Sequence, residues 1–289
     1  MINVAAFQYK IESYLNWGAY TSKTVKLIVE AKEKGAQLVA LPEYAGIEIV
    51  EKTVTTDLAL YQQIQTLLPK YIELYQHLAN EYQIYVQPGS ILVKNDNDKY
   101  HNRAYFFGPQ GAYGFQDKLN LVSDEHNKGL LERGIKQTIF ETAFGLIGIA
   151  ICYDCEFPEL IRNFTKAGVR LILVPSYTPS QHSFKRVYYS CKARALENQC
   201  FVVMSSAVGH VSFGEDLENL VGQANIFTPI DVGFNSDGIL SQGPMNESYA
   251  LIEKLSFRKI DQVRKHGQVK NYNDFMKLNH VSNLTTIQI

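Results

Sequence analysis

Short apolar runs alternate with longer segments of mixed polarity along most of the chain. Apolar runs bounded by turn-forming residues predict buried strands, and segments with apolar residues at helical spacing predict helices. The predicted strands are 2–8, 38–41, 85–93, 104–107, 113–116, 146–151, 171–174, 201–205, 224–227 and 249–255. This alternation is typical of an α/β protein. Roughly a dozen strands are too many for one small sheet, so we expect two packed sheets.

Capping and turn residues set the expected ends of several elements. Thr21 or Ser22 is the expected N-cap of a first helix that ends before Gly35. A long helical stretch is expected to break near Pro69, because proline removes a backbone donor and clashes with the preceding turn. The glycines and proline between 107 and 113 predict a hairpin. Further helices are expected at about 157–167 and 183–198.

Composition excludes several classes of protein. The 289 residues carry 28 Lys and Arg against 29 Asp and Glu, a net charge of −1. We therefore expect no nucleic-acid partner and no binding to a membrane surface. With 46% hydrophobic and 20% charged residues, the chain has enough apolar material for a large core and is not disordered overall.

Expectations about cellular location come from the N-terminus and the cysteines. The start of the chain shows no signal-peptide pattern, and no apolar run approaches the ~18 residues that suggest a membrane span. We therefore expect a cytoplasmic protein. Its 4 cysteines are then expected to be reduced thiols.

Reactive side chains follow three predicted strands. Glu43 comes just after 38–41, Lys118 just after 113–116, and Cys152 directly after 146–151. In α/β proteins, functional groups often lie beyond the carboxyl ends of strands. A carboxylate, an ammonium and a thiol are therefore candidates for one site.

These groups suit nucleophilic catalysis without a metal. A thiol attacks as its thiolate, so it needs a base, and Glu43 is the candidate. Lys118 and the backbone N–H of Tyr153 are placed to stabilise the negative charge that develops on an attacked amide or nitrile. Glu125, in a polar loop, is a second carboxylate for orienting the lysine or a water. Each residue also has a structural explanation, as a core thiol or a surface charge.

Other functions fit some of the same residues. Cys152 and Cys155 form a C-x-x-C pair, the spacing of redox proteins, although the Asp between them disfavours a reactive second thiol. A metal site would require His182 and Cys191 as further ligands, without a second C-x-x-C pair. A third alternative retains the fold as a binding scaffold without catalysis.

Ordered motifs resemble the nitrilase, or carbon–nitrogen hydrolase, superfamily. They are Leu-Pro-Glu-Tyr at 41–44, His-Asn-Arg-Ala at 101–104, Asp-Lys-Leu at 117–119, and Ile-Cys-Tyr-Asp at 151–154 followed by Phe-Pro-Glu at 157–159. The likeness extends from residue 2 to about 264. It is strongest to a branch sometimes fused to an N-acetyltransferase domain, although the sequence after Glu125 departs from that branch.

The resemblance implies a fold, a reaction and roles. The family fold is an α/β four-layer αββα sandwich with two central mixed β-sheets, which pairs through its outer helices into dimers or larger homo-oligomers. Glu43 resembles the family's general base, Lys118 its transition-state lysine, Cys152 its nucleophile and Glu125 its accessory glutamate. Family members cleave small non-peptide amides, carbamoyl amines or nitriles through a Cys-linked acyl intermediate, and a minority transfer the acyl group to an amine.

The extent of the likeness and the residues beyond the strand ends set the expected domain boundaries and pocket. Residues 1–266 are expected to form the hydrolase domain, and 267–289 an irregular tail that packs on a neighbouring subunit. No cofactor or metal is expected. Tyr44, Tyr153 and Tyr177 are candidate substrate-binding walls, and Arg194 or His182 is a candidate partner for a substrate carboxylate, with Glu197 as the alternative partner of Arg194.

Overall fold

The computed structural model describes residues 1–13, 15–51, 54–213 and 216–277. The strands are β1 (Ile2–Lys10), β2 (Leu38–Ala40), β3 (Tyr85–Gln87), β4 (Ser90–Lys94), β5 (Tyr100–Phe107), β6 (Tyr113–Asp117), β7 (Ile139–Thr142), β8 (Gly145–Ile149), β9 (Leu171–Ser176), β10 (Phe201–Phe213), β11 (Asp216–Leu220), β12 (Asn225–Phe227), β13 (Ile239–Gln242) and β14 (Tyr249–Leu255). The α-helices are α1 (Trp17–Glu33), α2 (Asp57–Glu81), α3 (Ser123–Asn127), α4 (Pro158–Lys166), α5 (Gln181–Asn198), α6 (Phe257–His266) and α7 (Asn271–Lys277). Short 3₁₀ helices, Ala45–Ile49 and Cys152–Glu156, follow β2 and β8. Within the described ranges, the helices lack the length and apolar character needed to cross a membrane.

The strands form a hydrogen-bonded path that folds back on itself. Its order is β4-β5-β3-β2-β1-β10-β9-β8-β7, and it contains both parallel and antiparallel pairs. Phe106 of β5 packs on Phe140 of β7 with ring centroids 4.9 Å apart, although these strands lie near opposite ends of the path. Two mixed sheets therefore face each other.

Helices cover the outer faces of both sheets. Phe7 of β1 shares an apolar cluster with Ile28 of α1, whereas Val4 of the same strand packs in the cluster that contains Ile149 of β8. Side chains alternate between the faces of a strand, so β1 contributes to two separate cores. Phe164 of α4 belongs to the second cluster. The result is the predicted four-layer αββα sandwich.

The first helix begins earlier than expected. Asn16 is its N-cap, and the Oδ1 atom of Asn16 accepts a hydrogen bond from the N–H of Ala19 at 2.9 Å. The predicted caps Thr21 and Ser22 were wrong, because both lie inside α1 and their hydroxyls donate to carbonyls one turn back. Asn, Ser and Thr all cap helices well, so spacing alone did not choose among them.

The predicted break at Pro69 was also wrong, since α2 continues through it. Ile64 precedes the proline, Tyr71 and Tyr75 follow it, and all three are fully buried on the inner face of the helix. Proline removes one hydrogen bond from a helix, but burial on both sides stabilises its continuation.

The predicted strand 85–93 is two strands, β3 and β4, joined by a tight turn. Gly89 in this turn has a φ of +81°, and a Cβ atom there would lie 2.0 Å from the carbonyl oxygen of Pro42. A glycine is therefore required for the turn to pack against the segment that leads to Glu43. The predicted hairpin between β5 and β6 is confirmed.

Part of the predicted C-terminal tail is helical and packs on its own chain. The carbonyl of Val269 accepts a hydrogen bond from Gln199 at 3.1 Å, and the guanidinium of Arg264 lies 3.9 Å from the ring centroid of Tyr272 in α7. Residues 278–289 lie outside the described part of the chain. Packing of the tail on a neighbouring subunit stays a prediction.

Candidate active site

Glu43 lies at the end of a short segment that leaves β2. The next residue, Tyr44, has a φ of 60°, in the left-handed region, and its N–H donates to Ser90 Oγ at 2.9 Å. This turn directs the Glu43 side chain inward, where it is 1% exposed. A non-glycine residue with positive φ is strained, and such strain is concentrated at functional sites.

Lys118 follows β6 directly and binds two carboxylates. Its Nζ atom lies 2.8 Å from Glu43 Oε1 and 2.7 Å from each carboxylate oxygen of Glu125. The lysine is 2% exposed. The predicted solvated alternative for this lysine is therefore wrong, because its charge is neutralised within the protein.

Cys152 begins the 3₁₀ helix after β8, with a φ of 47°. The strand ends at Ile149, two residues earlier than predicted. The Sγ atom of Cys152 lies 3.7 Å from the carbonyl oxygen of Tyr177, the residue that follows β9. Cys152 and Tyr44 thus both occupy strained backbone positions beside the buried charges.

Glu125 belongs to the short helix α3 instead of the polar loop that the sequence predicted. Its Oε1 atom accepts the Tyr44 hydroxyl at 2.5 Å, and its Oε2 atom accepts the Val122 N–H at 3.0 Å. With the lysine contacts, both oxygens of this carboxylate are engaged. Glu125 is thereby fixed against Lys118.

The remaining contacts of Glu43 come from both sheets. The N–H of Tyr177, after β9, donates to Oε2 at 3.0 Å, and Asn102 Nδ2 of β5 donates to Oε1 at 2.9 Å. The carboxylate therefore connects the strand ends of the two sheets. Asn102 occurs in the His-Asn-Arg-Ala motif at 101–104, but no specific role could be assigned to it from the sequence.

Asp154 fixes the turn that carries Cys152. Its carboxylate accepts the N–H of Leu119 at 3.1 Å and the N–H of Asn120 at 2.8 Å. It thus ties the turn that begins at Cys152 to the segment that follows Lys118. Burial raises the pKa of Asp154 to about 6, although these hydrogen bonds partly oppose the shift.

Burial and charge set the protonation of the central groups. Burial raises the pKa of Glu43 above its ordinary value, and the nearby Lys118 ammonium opposes that shift only in part. Burial also lowers the pKa of Lys118, but the two carboxylates raise it by more, so the lysine stays charged. Glu125 has a lowered pKa, because Lys118 outweighs the effect of its burial. Burial, then the Glu43 charge, raises the pKa of the Cys152 thiol. The resting thiol is therefore protonated beside a base of raised pKa.

A cavity of about 640 Å³ opens onto these groups. Its lining includes the four central residues and the three tyrosines predicted as substrate-binding walls, and thus brings together Glu43, Lys118, Glu125, Cys152, Tyr44, Tyr153 and Tyr177. The rings of Tyr44 and Tyr177 meet edge to face, with centroids 5.5 Å apart.

Arg194 and His182 do not meet the cavity, so the expectation that either binds a substrate carboxylate there is wrong. Arg194 lies in α5 behind the site, where it donates to the Cys155 carbonyl at 2.9 Å and to Glu197 at 2.7 Å. His182 is exposed on the first turn of α5 and is absent from the lining of the cavity. The alternative pairing of Arg194 with Glu197 is confirmed.

Cys155 faces away from the cavity. Its Sγ atom lies 3.8 Å from that of Cys191, and both thiols are fully buried. Across the ranges that the structure covers, no cluster of three or more His, Cys, Asp or Glu residues is arranged to hold a metal ion. The alternative in which Cys152, Cys155, His182 and Cys191 bind a metal ion therefore has no support in this arrangement.

Sequence comparisons agree with this geometry. The profile of the carbon-nitrogen hydrolase family matches residues 3–230. The probable hydrolase YhcX of Bacillus subtilis (strain 168) is 28% identical over 275 residues, which are 94% of this chain and 53% of that protein. The chain therefore spans about half the length of that relative. Omega-amidase NIT2-B of Xenopus laevis is 30% identical over 194 residues, 64% of this chain and 67% of that protein.

A solved structure shows the same fold. Nit3 of Saccharomyces cerevisiae, described as a member of branch 10 of the nitrilase superfamily, superposes with a TM-score of 0.75 at 21% identity. The superposition covers 91% of this chain and 93% of Nit3. The family profile covers most of the chain and the fold agrees with it, so the resemblance seen in the motifs is confirmed: the protein belongs to the carbon-nitrogen hydrolase family.

Proposed function

We propose that the protein is a thiol hydrolase that cleaves the carbon–nitrogen bond of a small non-peptide amide or carbamoyl amine through an acyl intermediate on Cys152. The observation that supports this most strongly is the arrangement around Lys118. One buried ammonium is held by two carboxylates, 2.8 Å from Glu43 and 2.7 Å from Glu125, in the wall of a cavity that also contains a thiol. A nucleophile, a base and a fixed positive charge thus meet where a substrate fits.

The first step is attack of the Cys152 sulfur on the substrate carbonyl carbon. As the sulfur–carbon bond forms, the thiol proton moves to Glu43, whose raised pKa suits it to accept that proton. The carbonyl oxygen becomes negative. Lys118 Nζ and the backbone N–H of Tyr153 stabilise this oxyanion more than the neutral ground state, which lowers the barrier.

Collapse of the oxyanion breaks the carbon–nitrogen bond, and Glu43 returns the proton to the departing ammonia or amine. Glu43 then accepts a proton from a water molecule, whose oxygen adds to the thioester carbon. The carbon–sulfur bond breaks and the proton returns to the Cys152 sulfur, so the enzyme is regenerated. Glu125 keeps Lys118 in place through both steps.

The outer cavity favours substrates whose remote end is neutral or positive. Its cations are already engaged by acids: Lys128 lies 2.9 Å from Asp57, and Arg186 lies 3.4 Å from Glu156. A substrate carboxylate would compete with those acids for the same cations, whereas an alkyl or ammonium end would not.

The test is ammonia release from a panel of small linear amides, carbamoyl amines and nitriles. Amides of equal length that end in a methyl, an ammonium or a carboxylate test the substrate class. We expect release by the wild type and none by Cys152→Ala, with the carboxylate-ended amide the slowest of its series. Equal release by both proteins would exclude Cys152 as the nucleophile. If the wild type released no ammonia from any compound of the panel, the result would favour a non-catalytic scaffold.

We further propose that the protein forms homodimers or larger homo-oligomers through its outer helices. In support, α5 exposes Tyr189 (61%) and Leu196 (38%), which lie seven positions and about two helical turns apart on its outward face. Sedimentation analysis of the wild type and of Tyr189→Glu tests this. A monomeric wild type would contradict it.

A further inference from the structure

Asn102 of β5 contacts the three charged residues of the site at once. Its side-chain Nδ2 donates to Glu43 Oε1 at 2.9 Å and to Glu125 Oε1 at 3.3 Å. Its backbone carbonyl accepts the N–H of Lys118 at 2.8 Å. The residue is fully buried, so water does not replace these contacts.

The orientation of the Asn102 amide is informative. Its Oδ1 atom is buried and, among the described residues, has no hydrogen-bond partner. A buried carbonyl without a donor is unfavourable. The opposite orientation is worse, because it directs Oδ1 at the two carboxylate oxygens. The contacts of both N–H groups thus determine the orientation of this side chain.

Asn102 supplies what Lys118 alone does not. One ammonium faces two carboxylates, so the buried cluster carries net negative charge while the thiol is protonated. Two hydrogen bonds from a neutral amide stabilise both carboxylates. A second cation in this place would also stabilise them, but it would lower the pKa of Glu43 further and make it a weaker base.

We infer that Asn102 is a positioning residue that holds Glu43 and Glu125 together, ionised and oriented around Lys118. The inference rests on the proposed function, because it assigns Asn102 to the working state of the same base. The amide does not touch the reacting atoms. It acts through the carboxylate that receives the proton.

The predicted effect is a shift in the pH dependence of thiol reactivity. The groups that face Glu43 are Lys118, Glu125, Cys152 and Tyr44. All of them remain in an Asn102 variant, so the shift isolates the loss of the amide. Because the amide donates to the ionised form, its removal raises the pKa of Glu43, and less of the base is available at neutral pH.

The test compares Asn102→Leu with a matched control, Asn225→Leu. Asn225 of β12 is equally buried, also has an unpaired Oδ1, and donates to Gln223 away from the cavity. The rate of alkylation of Cys152 by iodoacetamide is measured against pH by peptide mass, together with the melting temperature. The alkylation rate should fall at low pH as Glu43 becomes protonated, and we call this part of the profile the acid limb. We expect the midpoint of the acid limb to move to a pH about one unit higher in Asn102→Leu. Asn225→Leu should lose similar stability and keep the wild-type limb.

An unchanged acid limb in folded Asn102→Leu, or the same shift in both variants, would overturn the inference. If Asn102→Leu fails to fold, Asn102→Asp is used instead. An ionised aspartate adds a negative charge, and a protonated one donates to one carboxylate instead of two, so the midpoint of the acid limb moves to higher pH in either case. Alkylation requires no substrate, so this result does not depend on whether amide hydrolysis is found.

Discussion

The described part of the structure contains two buried glutamate–lysine clusters, one around Glu43 and one around Glu48, and the two glutamates are close in sequence. Of these two glutamates, Glu43 lines the cavity and Glu48 does not. Glu43 precedes the 3₁₀ helix Ala45–Ile49, and Glu48 lies within it. Glu48 is fully buried and accepts hydrogen bonds from Lys23 Nζ at 2.8 Å, from the Tyr9 hydroxyl and from the Glu12 N–H.

The two carboxylates are alike in the properties that often identify catalytic groups. Burial raises the pKa of Glu48 as it does that of Glu43, and in both cases a lysine partly opposes the shift. A perturbed pKa therefore does not separate the two clusters.

The clusters differ in what surrounds the lysine. Lys118 is 2% exposed and contacts two buried carboxylates beside a thiol, whereas the Lys23 side chain is 21% exposed and pairs with one buried acid and with the half-exposed Glu12. A buried ion pair becomes a candidate site only where a nucleophile and space for a substrate adjoin it. The Glu48 cluster instead ties the turn after Glu43 to β1 and α1.

Substitution of each lysine should distinguish the catalytic cluster from the structural one, and it should give the largest effects. Lys118→Met should lower kcat about 10²–10³-fold, because it removes the cation proposed to stabilise the oxyanion. Lys23→Met should lower the free energy of unfolding by about 2 kcal/mol, because Glu48 loses a charged hydrogen-bond partner. Its kcat should stay within about threefold of the wild type. Initial rates and urea unfolding measure both effects.

Lys26→Met is the control for loss of a lysine from α1, since Lys26 is exposed and its nearest carboxylate oxygen, in Glu30, is 3.9 Å away. Lys26→Met should alter neither kcat nor the free energy of unfolding. If Lys23→Met reduced kcat as much as Lys118→Met, the distinction between the clusters would be wrong.

Asp154→Asn should lower kcat by less than Lys118→Met and by more than Lys23→Met. Its carboxylate holds the backbone N–H groups just after Lys118, and an amide at this position directs an N–H at one of those donors. Loss of one charged hydrogen bond should lower kcat about tenfold. Steady-state kinetics measures this effect, and a wild-type kcat would show that Asp154 does not position Lys118.

The same substitution tests the protonation of Asp154. Its folded-state pKa is raised from 3.8 to about 6, so protonation favours the folded protein. Its stabilising contribution is therefore full below about pH 4 and is lost as the pH rises through about 6. Relative to Asp154→Asn, the wild type should gain up to about 3 kcal/mol in unfolding free energy between pH 7 and pH 4. A constant difference would contradict the raised pKa.

The smallest effect is expected on KM, from a substitution of Glu156 at the rim of the cavity. Glu156→Gln frees Arg186, which is more than half exposed, from its ion pair. KM for an amide with a remote carboxylate should fall about threefold, because an exposed pair contributes under ~1 kcal/mol. KM for the ammonium-ended amide should not fall. Parallel changes in both KM values would show that Arg186 does not contact the substrate.

The sequence predicted which groups meet, but not how they are held. Glu43, Lys118 and Cys152 were found because strand ends position functional groups, and Glu125 was found as a carboxylate in the polar loop that follows Lys118. Their supports depend on contacts between distant segments, such as that of Asn102 with Glu43, and local pattern does not reveal these. The errors at Pro69 and Arg194 have the same origin, because tertiary packing decided whether the helix continued and where the guanidinium lay.

The most direct test is the intact mass of the protein after rapid quenching during turnover of a reactive amide. We expect a mass increase equal to the acyl group on wild-type protein, located on Cys152, and none on Cys152→Ala of equal melting temperature. An acyl adduct on Cys152→Ala, or undiminished turnover by that variant, would contradict the assignment of Cys152 as the nucleophile.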